Sequence, residues 1–166
     1  MNLQLKGKVA IVGGGSQGIG LGIARTLAAE GASVVITARR EEDLKRAAHE
    51  IHEMTGNQVT WIPADCRKAE DCERVATTVR AVHGGIDVLV NNDGAPPVGP
   101  LLSFDDAAWH RAVEQNLMYP VRMVRQVAES MRERGGGSIL NITAISALQP
   151  IRDLGLSVAT WGGVIG

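Results

Sequence analysis

The chain has few aromatic residues, and its positive and negative charges nearly cancel. Only 3% of its 166 residues are aromatic, so it offers no row of side chains on which nucleic-acid bases could stack. A formal net charge of −1 argues against a basic surface for nucleic acids or anionic lipids. No apolar run is long enough to cross a bilayer. We therefore expect neither a nucleic-acid partner nor a membrane partner.

Cysteine is scarce as well, and the histidines form no ligand pattern. Cys66 and Cys72 suggest two reduced thiols of a cytoplasmic protein rather than a disulfide framework. Residues 1–8 alternate polar and apolar side chains and lack the pattern of a secretory leader. His49 and His52 are three residues apart, and a metal would need more ligands than these two. We expect no metal site.

What the sequence does contain is an alternation of two patterns. Five short runs are rich in β-branched residues and apolar at nearly every position, namely 9–12, 34–37, 59–62, 86–90 and 138–142. Stretches with helical i, i+3, i+4, i+7 apolar spacing separate these runs. The alternation predicts a Rossmann-like, doubly wound α/β fold. Its parallel sheet should have the strand order 3-2-1-4-5, with strands buried on both sides by helices.

The chain shows no linker, repeat or low-complexity segment, so we expect one domain over residues 1–166. The fourth helical segment is the longest, and Ser103 followed by Asp106 predicts a capping box at its start. Pro120 should kink or split that segment. Gly135, Gly136 and Gly137 should end it before the fifth strand.

A glycine-rich loop lies between the first predicted strand and the first predicted helix. Its sequence is Gly13-Gly14-Gly15-Ser16-Gln17-Gly18-Ile19-Gly20. Glycines allow a tight turn and a close approach to a pyrophosphate, and the helix N-terminus supplies free N–H groups and a positive dipole end. This context predicts dinucleotide binding, although a purely structural turn stays open. The predicted binding residues are Gly14, Ser16, Gln17, Gly18, Ile19 and Gly20.

The second predicted strand ends at Arg39 and Arg40. A site specific for NAD(H) usually has an acidic residue about 20 positions after the loop, to hold the ribose 2′-hydroxyl. The guanidinium groups found here suit a 2′-phosphate, so with Ser16 they favour NADP(H) over NAD(H). The alternative is a solvated arginine pair at the start of a helix.

Several motifs in the same order resemble those of the short-chain dehydrogenase/reductase family over the whole chain. They are Gly14-x3-Gly18-Ile19-Gly20, Asp65, Asn91-Asn92-Asp93-Gly94, Asn116 and Gly137-Ser138-Ile139-Leu140-Asn141-Ile142. Gly13, where a threonine is usual, and Asp93, where an alanine is usual, depart from the pattern. Within the family, the pattern looks closest to bacterial proteins described as 3-oxoacyl-carrier-protein reductase-like.

The resemblance implies roles for particular residues. It implies that Asp65, followed by Cys66, meets the adenine, and that Asn92 and Gly94 also belong to the cofactor site. It places Asn116 in the active site. It also implies a C-terminal half that this sequence does not include, so we expect an open substrate pocket and a sheet that ends at the fifth strand.

The catalytic positions implied by the resemblance are altered. Ala144 stands where the family has its serine, Ser157 where it has tyrosine, and Trp161 where it has lysine. Ser157 and Ser146 are our candidate proton donors. Nearby Thr143 and Asp93 could assist, and each of these side chains also has a simple structural interpretation.

Two functional hypotheses follow. The first is an oxidoreductase that transfers hydride between NADP(H) and a small-molecule carbonyl or alcohol by an atypical proton route. The second is a catalytically inactive dinucleotide-binding protein or a subunit of an assembly. For either hypothesis we expect a cytoplasmic homo-oligomer, because the fourth and sixth helices form the subunit interfaces in the resembled family.

Overall fold

A parallel sheet of five strands forms the centre of the computed structural model, which describes residues 3–92 and 94–166. The strands are β1 (Val9–Gly13), β2 (Ser33–Ala38), β3 (Thr60–Pro63), β4 (Val88–Asn91) and β5 (Ser138–Asn141). Their order is β3-β2-β1-β4-β5, and every neighbouring pair is parallel. The predicted fold and strand order are confirmed. The chain reverses its direction of winding between β1 and β4, which opens a crevice at the carboxyl ends of these strands.

Helices lie on both faces of the sheet. They are α1 (Gly18–Ala29), α2 (Glu41–Thr55), α3 (Ala69–His83), α4 (Asp106–Val113), α5 (Tyr119–Glu133) and α6 (Gly155–Ile165). Leu44 and Ile51 of α2 pack with α1 against one face, while Val75 of α3 and Met123 of α5 pack against the other. These side chains are almost fully buried. Burial of each such side chain contributes about 1.5–3 kcal/mol.

The fourth helical segment begins later than predicted. Asp105 is the N-cap of α4, and its Oδ1 accepts a hydrogen bond from the amide of Ala108 at 2.8 Å. Ser103 lies in a preceding 3₁₀ turn, where its hydroxyl donates to the carbonyl of Pro100 at 2.7 Å. The capping box at Ser103 is therefore wrong, because that hydroxyl is used inside the turn.

A π-helical turn, Glu114–Met118, divides the segment instead of a sharp kink at the proline. Pro120 is the second residue of α5 and directly follows the π-helical turn. The segment ends as predicted, since Gly135 follows α5 with a φ of 83°. The π-helical turn places Asn116 in the interior.

Strand β5 differs from the other strands in its environment. β1 and β4 are buried along their whole length, whereas every residue of β5 is exposed, including Ile139 and Leu140. The prediction that this strand is buried on both faces is wrong. Its apolar sequence suits a central strand, but among the described residues it pairs only with β4 and forms an edge of the sheet.

Candidate functional site

A cavity of about 700 Å³ opens at the carboxyl ends of β1, β2 and β4. Its wall consists of Gly14, Ser16, Gln17, Gly18, Ile19, Ala38, Arg39, Arg40, Asp43, Asn92 and Gly94. All predicted cofactor-binding residues except Gly20, Asp65 and Cys66 therefore line one cavity. They come from three separate parts of the chain, which the parallel sheet brings to the same edge.

The glycines of the loop are required by close packing. A Cβ on Gly14 would lie 2.1 Å from the carbonyl oxygen of Asn92, and Gly14 has a φ of 59°. A Cβ on Gly20 would lie 2.3 Å from the carbonyl oxygen of Gly14. The Asn92 side-chain amide donates to the carbonyl of Gly13 at 3.2 Å, which ties the loop to the end of β4. Gly20 thus lies beneath the loop, where its lack of a side chain lets helix and loop approach.

The N-terminus of α1 faces this cavity through Gly18 and Ile19. Its first turn holds no acidic residue, and its N-cap Gln17 makes no side-chain capping bond within the described part of the chain. The first N–H groups of a helix lack partners inside the helix and carry the positive dipole end. By contrast, α2 has acidic residues in its first turn. The start of α1 therefore fits a pyrophosphate, which supplies the missing negative charge.

Both arginines reach the opposite side of the cavity and are exposed to solvent. Arg40 forms an ion pair with Asp43, whose other carboxylate oxygen lies 3.0 Å from Arg46. Asp43 was not predicted from the sequence as part of this site. Its position three residues after Arg40 on a predicted helix was the available signal, because residues so spaced lie on one helix face.

Asp65 and Cys66 lie outside the cavity wall. The Asp65 carboxylate accepts two hydrogen bonds from the Arg67 guanidinium, at 2.6 and 2.8 Å. Chiefly because of these hydrogen bonds, the pKa of Asp65 lies below its ordinary value. Cys66 is buried in the core, and its carbonyl accepts a hydrogen bond from the Cys72 thiol at 3.2 Å. The adenine contacts that the resemblance implied for Asp65 and Cys66 stay predictions.

A second group of polar side chains lies where α6 packs against the π-helical turn. The Asn116 side-chain amide donates to the Thr160 hydroxyl at 2.9 Å, and that hydroxyl donates to the carbonyl of Leu156 at 2.7 Å. Asn116 Oδ1 is buried and has no hydrogen-bond partner among the described residues. Thr160 was not singled out from the sequence, because nothing local indicates that it would meet a residue 44 positions away.

Ser146, Ser157 and Trp161 lie on α6 or on a turn that packs against it. Ser146 lies in a 3₁₀ turn after β5, and its Oγ is buried without a hydrogen-bond partner in the described ranges. Ser157 and Trp161 are buried on α6, which also packs against that turn, whereas Ala144 is exposed. Asp93 lies outside the described residues. The site thus has buried hydroxyls and an amide, with an indole at the position that the family resemblance assigns to lysine.

Residues 3–92 and 94–166 contain neither a cluster of potential metal ligands nor a helix of membrane-spanning length. No group of three or more His, Cys, Asp or Glu side chains in these ranges is arranged to hold a metal ion. None of the helices described there is long and apolar enough to cross a membrane.

The fold is Rossmann-like, and a glycine-lined cavity lies at the switch point between β1 and β4. The family model for short chain dehydrogenase matches residues 8–166. The chain belongs to the short-chain dehydrogenase/reductase family, as the motif resemblance indicated.

Relatives of known identity support this assignment. The chain is 39% identical over 152 residues to dehydrogenase/reductase SDR family member 4 of Oryctolagus cuniculus, an alignment that covers 91% of this chain and 58% of the rabbit protein. L-sorbose reductase from Gluconobacter frateurii, solved with NADPH and L-sorbose, superposes with a TM-score of 0.96 at 35% identity. That match covers 99% of this chain and 63% of the reductase.

A metagenomic short-chain oxidoreductase solved with NADP gives a TM-score of 0.90 at 36% identity. This match covers 96% of this chain and 73% of the oxidoreductase. The chain thus spans less than two thirds of the rabbit protein and of the sorbose reductase. The narrower resemblance to 3-oxoacyl-carrier-protein reductases stays a prediction.

Proposed function

We propose that this chain binds NADP(H) in preference to NAD(H) and takes part in hydride transfer between a small-molecule carbonyl and its alcohol. The observation that most directly supports this proposal is the cavity that extends from the start of α1 to the exposed pair Arg39 and Arg40. The two structural neighbours above were solved with NADPH and NADP, which supports the cofactor class.

Each part of the cavity has a distinct task in this proposal. Backbone N–H groups around Gln17 and Gly18 bind the pyrophosphate, and Asn92 keeps the glycine loop in the required shape through its bond to Gly13. The guanidinium groups of Arg39 and Arg40 bind the 2′-phosphate. When bound, the nicotinamide supplies or accepts the hydride, so this chain has to provide the proton route.

The proton route depends on weak donors. The Ser157 and Ser146 hydroxyls are the candidates, and Asn116 positions α6 through Thr160. An aliphatic hydroxyl is a poor general acid, and loss of general acid catalysis costs typically about 10²–10⁴-fold in rate. We therefore expect slow turnover of ordinary ketones.

A catalytically inactive dinucleotide-binding protein is the second candidate. The favouring observation is that Trp161 is buried on α6 at the position where the resemblance would place a lysine. An indole carries no charge that could make a neighbouring hydroxyl more acidic. Cofactor binding without measurable turnover is the expected behaviour in this case.

The test combines cofactor titration with a turnover assay. NADPH and NADH are titrated into the chain and into Arg39→Asp, with Arg132→Asp as the control because Arg132 is an exposed residue of α5 outside the cavity wall. We expect Arg39→Asp to weaken NADPH far more than NADH, and Arg132→Asp to change neither. Equal loss of both cofactors would show that Arg39 does not recognise the phosphate.

Turnover with an acetoacetyl-type ketone then separates the two candidates. Slow NADPH oxidation that depends on the ketone supports the oxidoreductase, and its absence supports the binding protein. A rate of about 1–10³ s⁻¹, usual for enzymes, would show that the proton donor is not impaired.

We also propose that the chain forms a homo-oligomer. A mainly apolar groove of about 320 Å³ lies between α5 and α6, with Val121, Val124 and Val164 in its wall. Light scattering of the chain and of Val124→Glu tests this proposal, since a charge in the groove should dissociate an oligomer that uses it. Cytoplasmic location stays a prediction from composition.

A further inference from the structure

A carboxylate lies within the wall of the proposed phosphate site. Asp43 lines the same cavity as Arg39 and Arg40, and its carboxylate is shared between Arg40 and Arg46. The Asp43 side chain is only 13% exposed, while Arg40 and Arg46 are 75% and 65% exposed. The negative charge is therefore the fixed element of this cluster, and the two arginines reach towards it from solvent.

This arrangement affects any anion that enters the cavity beside the arginines. A phosphate that binds Arg40 has to share or replace the bond from Arg40 to Asp43 and then lies near a partly buried negative charge. Like charges at such separations repel appreciably, because the neighbourhood of a partly buried carboxylate screens less than bulk water. Arg39 has a different environment, since it contributes an electrostatic attraction to Asp65 rather than an ion pair with Asp43.

We propose that Asp43 limits the affinity for the 2′-phosphate of NADP(H) by competing for Arg40, and thereby sets how strongly this chain prefers NADP(H) over NAD(H). The inference rests on the proposed cofactor function and adds a determinant of specificity to it. A ligand without a 2′-phosphate does not require Arg40, so the competition for Arg40 does not change the affinity of that ligand. The opposite role, in which Asp43 holds Arg40 in the orientation that binds phosphate, predicts the opposite sign.

The test replaces Asp43 by its neutral isostere. Asp43→Asn is compared with Glu42→Gln, the neighbouring change of equal charge on the same helix turn. Glu42 is 84% exposed, pairs with Lys45 and does not line the cavity, so it reports the general effect of removing one charge from α2. Asp43→Ser serves as a second variant, and circular dichroism confirms that each protein is folded.

Binding is measured by calorimetry at low salt with NADPH, NADH, adenosine 2′,5′-bisphosphate and AMP. We expect Asp43→Asn to increase the affinity for NADPH and for adenosine 2′,5′-bisphosphate by about threefold to tenfold. A tenfold change in affinity corresponds to about 1.4 kcal/mol, which the removal of one partly screened charge can supply. NADH and AMP should bind unchanged, and Glu42→Gln should change none of the four ligands. In an Arg40→Gln background the effect of Asp43→Asn should largely vanish, because the competition acts through Arg40.

Unchanged or weaker NADPH binding by both Asp43 variants would overturn this proposal while leaving the cofactor function intact. Equal tightening of NADPH and NADH would also overturn it, because the effect would then not involve the 2′-phosphate. Failure of the unmodified chain and both variants to bind either nicotinamide cofactor would overturn the cofactor function and this inference together.

Discussion

Asn116 and Thr160 are joined by a buried hydrogen bond of 2.9 Å that links the π-helical turn to α6. The bond joins the turn that carries Asn116 to the helix that carries the altered positions Ser157 and Trp161. Asn116 Oδ1 has no partner within the described residues, so the bond from the Asn116 amide to Thr160 holds this side chain in place. Loss of the Thr160 hydroxyl would leave a buried amide unpaired.

We predict that Thr160→Val lowers the free energy of unfolding by about 1–3 kcal/mol, the usual cost of leaving a buried polar group without its partner. Urea denaturation measures the change. Thr160→Ser keeps the hydroxyl and is the control, so it should lose clearly less. Equal losses in the two variants would contradict a dominant role of the hydrogen bond, because Thr160→Val keeps a methyl group and only Thr160→Ser keeps the hydroxyl.

Gly20 and Gly22, two positions apart on α1, should respond to alanine in opposite directions. A Cβ on Gly20 meets the backbone of Gly14, whereas a Cβ on Gly22 meets nothing within 4 Å. Gly22→Ala should therefore stabilise the fold by about 0.5–1 kcal/mol through helix propensity. Gly20→Ala should destabilise the fold and weaken NADPH binding, because the loop has to move. Thermal unfolding and cofactor titration of both variants check this, and a stabilising Gly20→Ala would contradict the close packing.

Asp87 should make stability depend on acid pH. Burial alone raises the pKa of this carboxyl, but hydrogen bonds from Arg134 (2.9 Å), the Val9 amide (2.8 Å) and Lys8 (3.3 Å) outweigh burial and hold the pKa below its ordinary value of 3.8. A carboxyl whose folded pKa is lowered stabilises the protein above its unfolded pKa. That contribution is lost as the pH falls below about 5 towards the folded pKa.

Asp87→Asn should consequently cost about 1–3 kcal/mol at pH 7 and much less at pH 3, since its donors lose a charged acceptor. Glu129→Gln is the matched control, because it removes an exposed ion pair with Arg132. Such exposed pairs contribute about 0–1 kcal/mol. Urea midpoints across pH 3–7 measure both variants, and parallel profiles for Asp87→Asn and the unmodified chain would refute the assignment.

Restoring the family residues at Ser157 and Trp161 should rescue little activity. Both positions are buried on α6, so Trp161→Lys places an ammonium group where charge is costly, and it removes the packing of the indole. Ala144 still lacks the hydroxyl that the family uses beside the carbonyl. We expect the double variant Ser157→Tyr, Trp161→Lys to be less stable and to gain less than about tenfold in turnover, because groups that act as one unit are strongly non-additive.

Addition of Ala144→Ser to that double variant should raise turnover more than Ala144→Ser does in the unmodified chain. Ketone-dependent oxidation of NADPH measures the rates, and Trp161→Phe separates loss of packing from gain of charge. A large gain from Ser157→Tyr alone would show that the buried tyrosine finds another activating group.

Much of the fold could be predicted from the sequence. Runs of β-branched residues alternate with stretches of 3.6-residue periodicity, so strands and helices can be assigned locally. The parallel direction of the strands follows from the right-handed helical crossovers, and the strand order follows from the switch point of a doubly wound fold. The glycine loop was also readable, since the lack of side chains at Gly14 and Gly20 is a local property with a local consequence. Strand β5 was misjudged because an apolar sequence reports what a strand could bury, not which element of the structure covers it.

Contacts between distant positions were decided by the tertiary structure. Nothing in the sequence near Asn116 indicates Thr160, and nothing near Arg134 indicates Asp87, because each pair meets only after the sheet has set the spacing of the elements. The motif Arg39-Arg40 indicated a phosphate site from residue type alone. The ion pair between Arg40 and Asp43 depends on side-chain directions on the folded helix, which residue type does not specify.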